Sequence, residues 1–343
     1  MTGLKSMGAS LALAAAFAFS GAATAQEIKL TLADQNSGTA FGPTNAVKPW
    51  IAQVEKATNG RVKIELYSSQ TLLKGIDTWK GVASGIADMG WCVQSYWPDL
   101  TPLAEVMTLP GMPMKSAEHG SEVLWKLYEK FPAIQREFSA IQPILLHTTD
   151  PYFLLTTKKQ VKTLEDIKGL KIRAIGGPGT DHMKALGAVP IAIPMPDVYQ
   201  ALDKGVVDGM STPWEAIAGF RFYEVAKYYT HVPLPAVAFS LCVNKQKWAS
   251  LPADVRTQIM SVSGLAGSRF WGKNYFDASE SNTLEKIKSG NHEMVRYTPP
   301  PEEIARWTKV AEPLWEDWVK RMEGKGLRDA RAVLNATLEM LRM

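Results

Sequence analysis

Val62-Lys-Ile-Glu-Leu-Tyr67 alternates apolar and polar side chains with the period of two that a half-buried strand requires. On its N-terminal side, Asn59-Gly60 closes a helical pattern running from Pro49 to Ala57, with the proline in the first turn, where its missing N–H is no loss. Before that helix, Ile28 to Ala33 (IKLTLA) alternates again. On the other side, Ile76 to Ser84 is helical up to Gly85, and Ala87 to Val93 is a short apolar strand. Strand, helix, strand, helix, strand in this order predicts an α/β unit with a largely parallel sheet.

Further out, helical patterns cover His119 to Glu129 and Pro132 to Ser139, and Ile141 to His147 reads as a strand. A similar cycle then restarts. Tyr152 to Thr157 is a strand, Leu164 to Ile167 opens a short helix before Gly169, and Leu170 to Ile175 is a strand. Gly176 to Gly179 turns into a helix at Thr180. Ile191 to Ile193 is a strand, Pro196 to Lys204 a helix and Val206 to Asp208 a strand. Two α/β units therefore stand in tandem. After a further strand, Ala236 to Val243, the chain reads as almost wholly helical from Asp254 to its end, enough to strap the units together.

Length and charge agree with this division. The 343 residues suit about two domains. With 46% hydrophobic and 21% charged residues, a disordered or collagen-like chain is excluded. A formal charge of only +4, without a basic block, argues against a nucleic-acid partner. At the N-terminus, Lys5, the apolar run Ala9 to Ala18 and Ala23-Thr24-Ala25 form the pattern of a cleavable signal peptide over residues 1–25. The expected location is therefore the periplasm, an oxidising compartment. Cys92 and Cys242 each lie in an apolar strand and are expected to be buried thiols.

Motifs of catalysis are missing. The chain has no G-x-S-x-G, H-E-x-x-H or Walker loop, and no G-x-G-x-x-G following a strand. Its five histidines lack metal-ligand spacing. Glu280 and the pair Glu302-Glu303 read as helix-surface acids. Arg173 differs: it sits in Gly169-Leu-Lys-Ile-Arg-Ala174, a strand that runs into a glycine-rich turn. Ligands of open α/β sheets bind at such carboxyl-end edges, and the planar guanidinium suits a carboxylate. Taken alone, Arg173 reads better as a surface residue than as a ligand grip.

The stretch Thr163-Leu-Glu-Asp-Ile-Lys-Gly-Leu-Lys-Ile-Arg173, followed by Val198-Tyr-Gln-Ala-Leu-Asp-Lys-Gly-Val-Val-Asp-Gly209, resembles the DctP-type solute-binding proteins of TRAP transporters. Ser68-Ser69-Gln70, Gly85-Ile-Ala-Asp88 and Phe222-Tyr-Glu-Val-Ala226 extend the resemblance over nearly the whole mature chain. It implies a two-lobed, periplasmic-binding-protein-like fold with a ligand cleft between the lobes and a long connecting helix. Residues 26–150 plus about 239–278 would form the first lobe. Residues 151–238 plus about 279–343, with the C-terminal helices, would form the second. The resemblance also implies capture of a small organic acid, delivery to a small and a large integral membrane subunit, and Arg173 as the residue that grips the ligand carboxylate.

Departures from the family pattern bear on the ligand. Thr212 stands where sialic-acid-binding members carry asparagine, Phe153 where they carry a second arginine, Val93 near their acidic position and Met195 near their aromatic one. Losing an arginine disfavours a dicarboxylate. Phe153, Trp91, Met195, Met210 and Trp214 suggest an apolar or aromatic body behind a single carboxylate, with Gln35 and Asn36 as polar contacts from the first lobe. Of eleven tryptophans, Trp125, Trp307, Trp315 and Trp318 fall on helical patterns and read as packing residues. Tyr152 is expected at the hinge. Some relatives hold a keto acid through a cation near the Trp214-Glu215 position. Glu215 reads better as an ordinary solvated or helix-starting acid, so no metal or cofactor is expected, and the chain is expected to be a monomer. The competing classes are a binding protein of an ATP-driven importer, recognisable by an ATPase among its membrane partners, and a periplasmic enzyme, recognisable by turnover of the ligand.

Overall fold

The computed structural model describes residues 27–343; the signal peptide expected over 1–25 lies outside the described residues. The chain first forms β1 (Ile28–Ala33), β2 (Val62–Tyr67), β3 (Met89–Val93) and β4 (Ile141–Thr148). It then crosses to β5 (Tyr152–Thr156), β6 (Lys171–Arg173), β7 (Val189–Ile191), β8 (Gly209–Thr212) and β9 (Tyr228–Leu234). β10 (Ala238–Asn244) crosses back, and β11 (Val295–Tyr297) joins the other side. Two sheets result, in the orders β2-β1-β3-β10-β4 and β11-β9-β5-β8-β6-β7.

The first sheet is mixed rather than largely parallel. β1 runs parallel to β2 and β3, but β10 inserts antiparallel between β3 and β4. Nothing local to residues 28–93 announces a strand arriving from position 238. The same insertion corrects the expectation of free thiols. It lays Cys242 beside β3, and Cys92 and Cys242 are joined as a disulfide with Cα atoms 6.4 Å apart.

Several boundaries also move. Val206–Asp208 is a turn, because the preceding helix (Val198–Asp203) ends with Gly205 at φ +68° and the Val206 N–H returns to the Ala201 carbonyl at 2.8 Å. This left-handed helix stop takes up the residues that read as a strand, and β8 begins at Gly209. Leu164–Ile167 is a turn, held by the Asp166 carboxylate accepting from the Lys162 and Thr163 N–H groups. The helix expected from Thr180 starts at Gly177, with Pro178 in its first turn, and β7 ends rather than begins at Ile191. β11 interrupts the helical C-terminal portion.

Two helical passes tie the lobes together. One runs from Gly264–Gly272 through a π-helical segment, Lys273–Asp277, into Ser279–Ser289. At Gly272 a Cβ would lie 2.4 Å from the Ala117 carbonyl oxygen, so only glycine permits this contact with the helix Ala117–Lys130. The other pass is the 24-residue helix Pro301–Gly324. Its Trp307 belongs to a core cluster that draws on residues of both lobes, and its Trp318 to a second cluster with Trp125 and Leu334. All three indoles are buried, as packing residues should be, and Trp315 donates from Nε1 to the Pro110 carbonyl at 2.7 Å. The last helix, Ala330–Arg342, was expected with the second lobe. It packs instead with the helix Ala117–Lys130 of the first, its Val333, Leu334 and Leu341 closing that cluster.

Candidate functional site

A small cavity lies between the two sheets. The loop after β1 supplies Gln35 and Asn36, and β3 with its following turn supplies Trp91, Val93 and Tyr96. Tyr152, Val237 and Phe239 come from the crossing strands, and Phe276 from the π-helical segment. The second lobe contributes Arg173, Ile175, Met195, Pro213, Glu215, Ala216 and Phe220.

Arg173 ends β6 and is fully buried. Its Nε donates to the Ile193 carbonyl at 2.9 Å, which orients the guanidinium. Both terminal nitrogens lack a hydrogen-bond partner. Burial pulls its pKa down, and Tyr96 and Tyr152 oppose that shift. A buried donor left unpaired costs about 1–3 kcal/mol, more when charged, so two on one side chain mark an incomplete interaction. A planar carboxylate would fill both positions in the bidentate geometry arginine favours.

Six of the side chains lining the cavity are aromatic. Trp91 lies between Phe239 (ring centroids 4.5 Å apart, 15° between planes) and Tyr275 (5.4 Å, 3°). Its Nε1 donates to His147 Nε2 at 2.9 Å. Burial holds the His147 pKa down to about 3, so the ring stays neutral and can accept that bond. The Tyr96 hydroxyl accepts from the Met195 N–H at 2.8 Å and faces Gln35 Oε1 at 3.1 Å, a clasp between the lobes. Asn36 Nδ2 donates to Asp34 Oδ1 and to the Tyr275 hydroxyl, both at 2.8 Å.

Carboxyl groups buried around the cleft are held toward their neutral forms. Burial, with the charge of Asp34 adding to it, pushes Glu215 up to about 8. Burial likewise raises Asp34 to about 6 and Asp150 to about 7. In the first lobe it raises Glu137 to about 8, against the pull of the Leu103 and Ala104 N–H groups. Each group binds its proton more tightly folded than unfolded, where carboxyls titrate near about 4. Stability is therefore greatest below about pH 4 to 5, as far as these groups contribute, and falls as pH rises toward about 8. Thermal melts should give a higher melting temperature near pH 5 than near pH 8.5; a melting temperature that climbs over that interval would refute the assignment.

Of the residues singled out in the sequence, Arg173, Trp91, Met195, Gln35 and Asn36 meet around this one cavity. Phe153, Thr212, Met210 and Trp214 do not line it. Successive strand residues face opposite sides of a sheet, and Tyr152 takes the cavity side while Phe153 takes the other. Phe153 packs at 4.8 Å from Trp214 and 4.2 Å from Tyr229, in a cluster behind β5 that also holds Met210. Thr212 is buried in β8, opposite Phe153, and Pro213 forms the wall in its stead. Tyr152 is thus a wall residue rather than only a hinge residue, a face that the β5 alternation could have revealed. Glu215 is buried rather than solvated. Phe239 and Phe276 carried no local signal, since they reach the site through β10 and a helix that read only as a strap. Among the described residues, no group of three or more His, Cys, Asp or Glu side chains is placed to hold a metal ion.

Residues 40–321 match the DctP family, described as bacterial extracellular solute-binding protein, family 7. The chain belongs to this family. A C4-dicarboxylate-binding periplasmic protein DctP from Rhodobacter capsulatus is 30% identical over 83% of this chain and 84% of its own. Two solved structures, each 27% identical and superposing with a TM-score of 0.86 over 92% of this chain and 98% of theirs, are TRAP solute-binding proteins. One, from Rhodoferax ferrireducens, holds copurified benzoate. The other, from a marine metagenome, is described as specific for aromatic acid ligands and holds 3-hydroxybenzoate. This DctP-family protein is accordingly a solute-binding component of the TRAP type and not an enzyme. No helix among its described residues is long and apolar enough to cross a membrane.

Proposed function

We propose that the protein captures an aromatic monocarboxylate in the periplasm and, as a monomer, presents it to the small and large integral subunits of a TRAP transporter. The two unpartnered terminal nitrogens of buried Arg173 carry this reading. A carboxylate seated there would satisfy both, and its ring would lie against Trp91, Phe239 and Phe276. Each aromatic contact contributes about 0.5–1.5 kcal/mol beyond area burial. Arg173 is the one cationic side chain among the lining residues, so a second carboxylate would have no cation to meet and a C4-dicarboxylate fits poorly. The benzoate and 3-hydroxybenzoate held by the two similar structures point the same way. Binding would favour the closed arrangement of the lobes, in which Tyr96 reaches Met195, and so shift the population toward the form the membrane subunits read.

Thermal shift of the ligand-stripped protein against a panel of small organic acids tests this. Benzoate-like acids should stabilise it and succinate should not, with intrinsic tryptophan fluorescence changing in parallel because Trp91 lines the site. If no organic acid raises the melting temperature, the reading fails.

A further inference from the structure

We propose that Glu215 reads a hydroxyl group on the ligand, so that the preferred ligand is a hydroxylated aromatic monocarboxylate rather than an unsubstituted one. This rests on the carboxylate reading of Arg173. Arg173 and Glu215 are opposite in charge type, both buried, and both line one cavity, yet they do not pair: the guanidinium's terminal nitrogens and Glu215 Oε1 all lack partners. Two groups with unmet hydrogen-bonding capacity in one small cavity call for a ligand that is polar at two points.

Part of the neighbouring polar wall is already engaged. Asn36 Nδ2 serves Asp34 and Tyr275, and Gln35 Oε1 faces the Tyr96 hydroxyl. Among the lining residues, Glu215 Oε1 is the fully buried acceptor that no partner meets. Its nearest cavity neighbours in the chain, Pro213, Ala216 and Phe220, are apolar, so a charged ammonium would lose its hydration there without replacement. A hydroxyl is neutral and both donates and accepts. It suits a carboxyl group that burial holds toward its neutral form. A second ligand carboxylate would meet an acid instead of a base.

The test is calorimetric titration of wild-type protein, E215A and E215Q with benzoate and with 2-, 3- and 4-hydroxybenzoate. Wild-type protein should bind at least one hydroxybenzoate about tenfold tighter than benzoate. E215A should narrow that preference to within about threefold, and E215Q, which keeps a hydrogen-bonding amide, should retain part of it. Equal wild-type affinity for benzoate and all three isomers overturns the proposal, as does an undiminished preference in E215A. The wild-type comparison decides on its own should E215A fail to fold. Binding of benzoate without isomer preference refutes only the role of Glu215. Failure of all four acids to bind refutes the carboxylate reading and this one together.

Discussion

Arg173→Ala is expected to weaken binding of the acid by roughly a hundredfold or more. Truncating one partner of a buried, hydrogen-bonded charge pair costs about 2–5 kcal/mol, and each 1.4 kcal/mol is about tenfold. Much of that loss would come from a ligand carboxylate buried with nothing to meet it, in a cavity where no other cation lines the wall. Arg173→Lys should fall between, since it keeps the charge but not the planar fork, nor the Nε bond that sets its angle at Ile193. Stability separates this role from a structural one. The free protein carries a fully buried guanidinium with two unpaired nitrogens, so R173A without ligand should melt no lower than wild type and the ligand-induced shift should vanish. Calorimetry and paired melts measure both. An unchanged affinity would remove Arg173 from the site, and a collapse in the melting temperature of the free protein would make it a structural residue.

Local pattern carried much of the fold because local physics decides much of it. The alternation in Val62–Tyr67 and in Ile28–Ala33 marks strands with the bounds later observed, and Asn59-Gly60 ends the first helix with two residues at positive φ. Such features depend on neighbours a few residues apart. The misread positions are those where a distant segment decides. Cys92 and Cys242 become a pair only because β10 returns across some 150 residues. Trp91 acquires its role as a wall only when Phe239 and Tyr275 arrive on either side of it. Phe153 illustrates a different failure. Aligning it with a family position identified the right strand, but one residue of register separates the cavity face, held by Tyr152, from the buried face. Arg173 was legible as a candidate because its residue type, strand end and motif agree. Its two unpaired nitrogens, which turn a candidate into an argument, are visible only in three dimensions.

Loss of the Cys92–Cys242 bond should be the largest stability effect of any change outside the cavity. The bond closes a loop of sequence separation 150. In the chain-entropy picture such a loop is worth about 5 kcal/mol, toward the upper end of measured disulfides. A destabilisation of that size corresponds to a fall in melting temperature on the order of 10 °C for a chain of this length. Wild-type protein in strong reductant and the double variant C92A/C242A should both show it, and the variant should ignore reductant. Ligand affinity should change by less than about threefold, because Trp91 and Phe239 are held by the β3–β10 ladder as well as by the sulfur bridge, and hydrogen-bonded strand pairs keep their register without a covalent link where one face is buried. Identical melts with and without reductant, together with two thiols that react under denaturing conditions before any reductant is added, would return these residues to buried free cysteines. A large loss of affinity at constant stability would instead mean that the bridge, and not the ladder, sets the Trp91 wall.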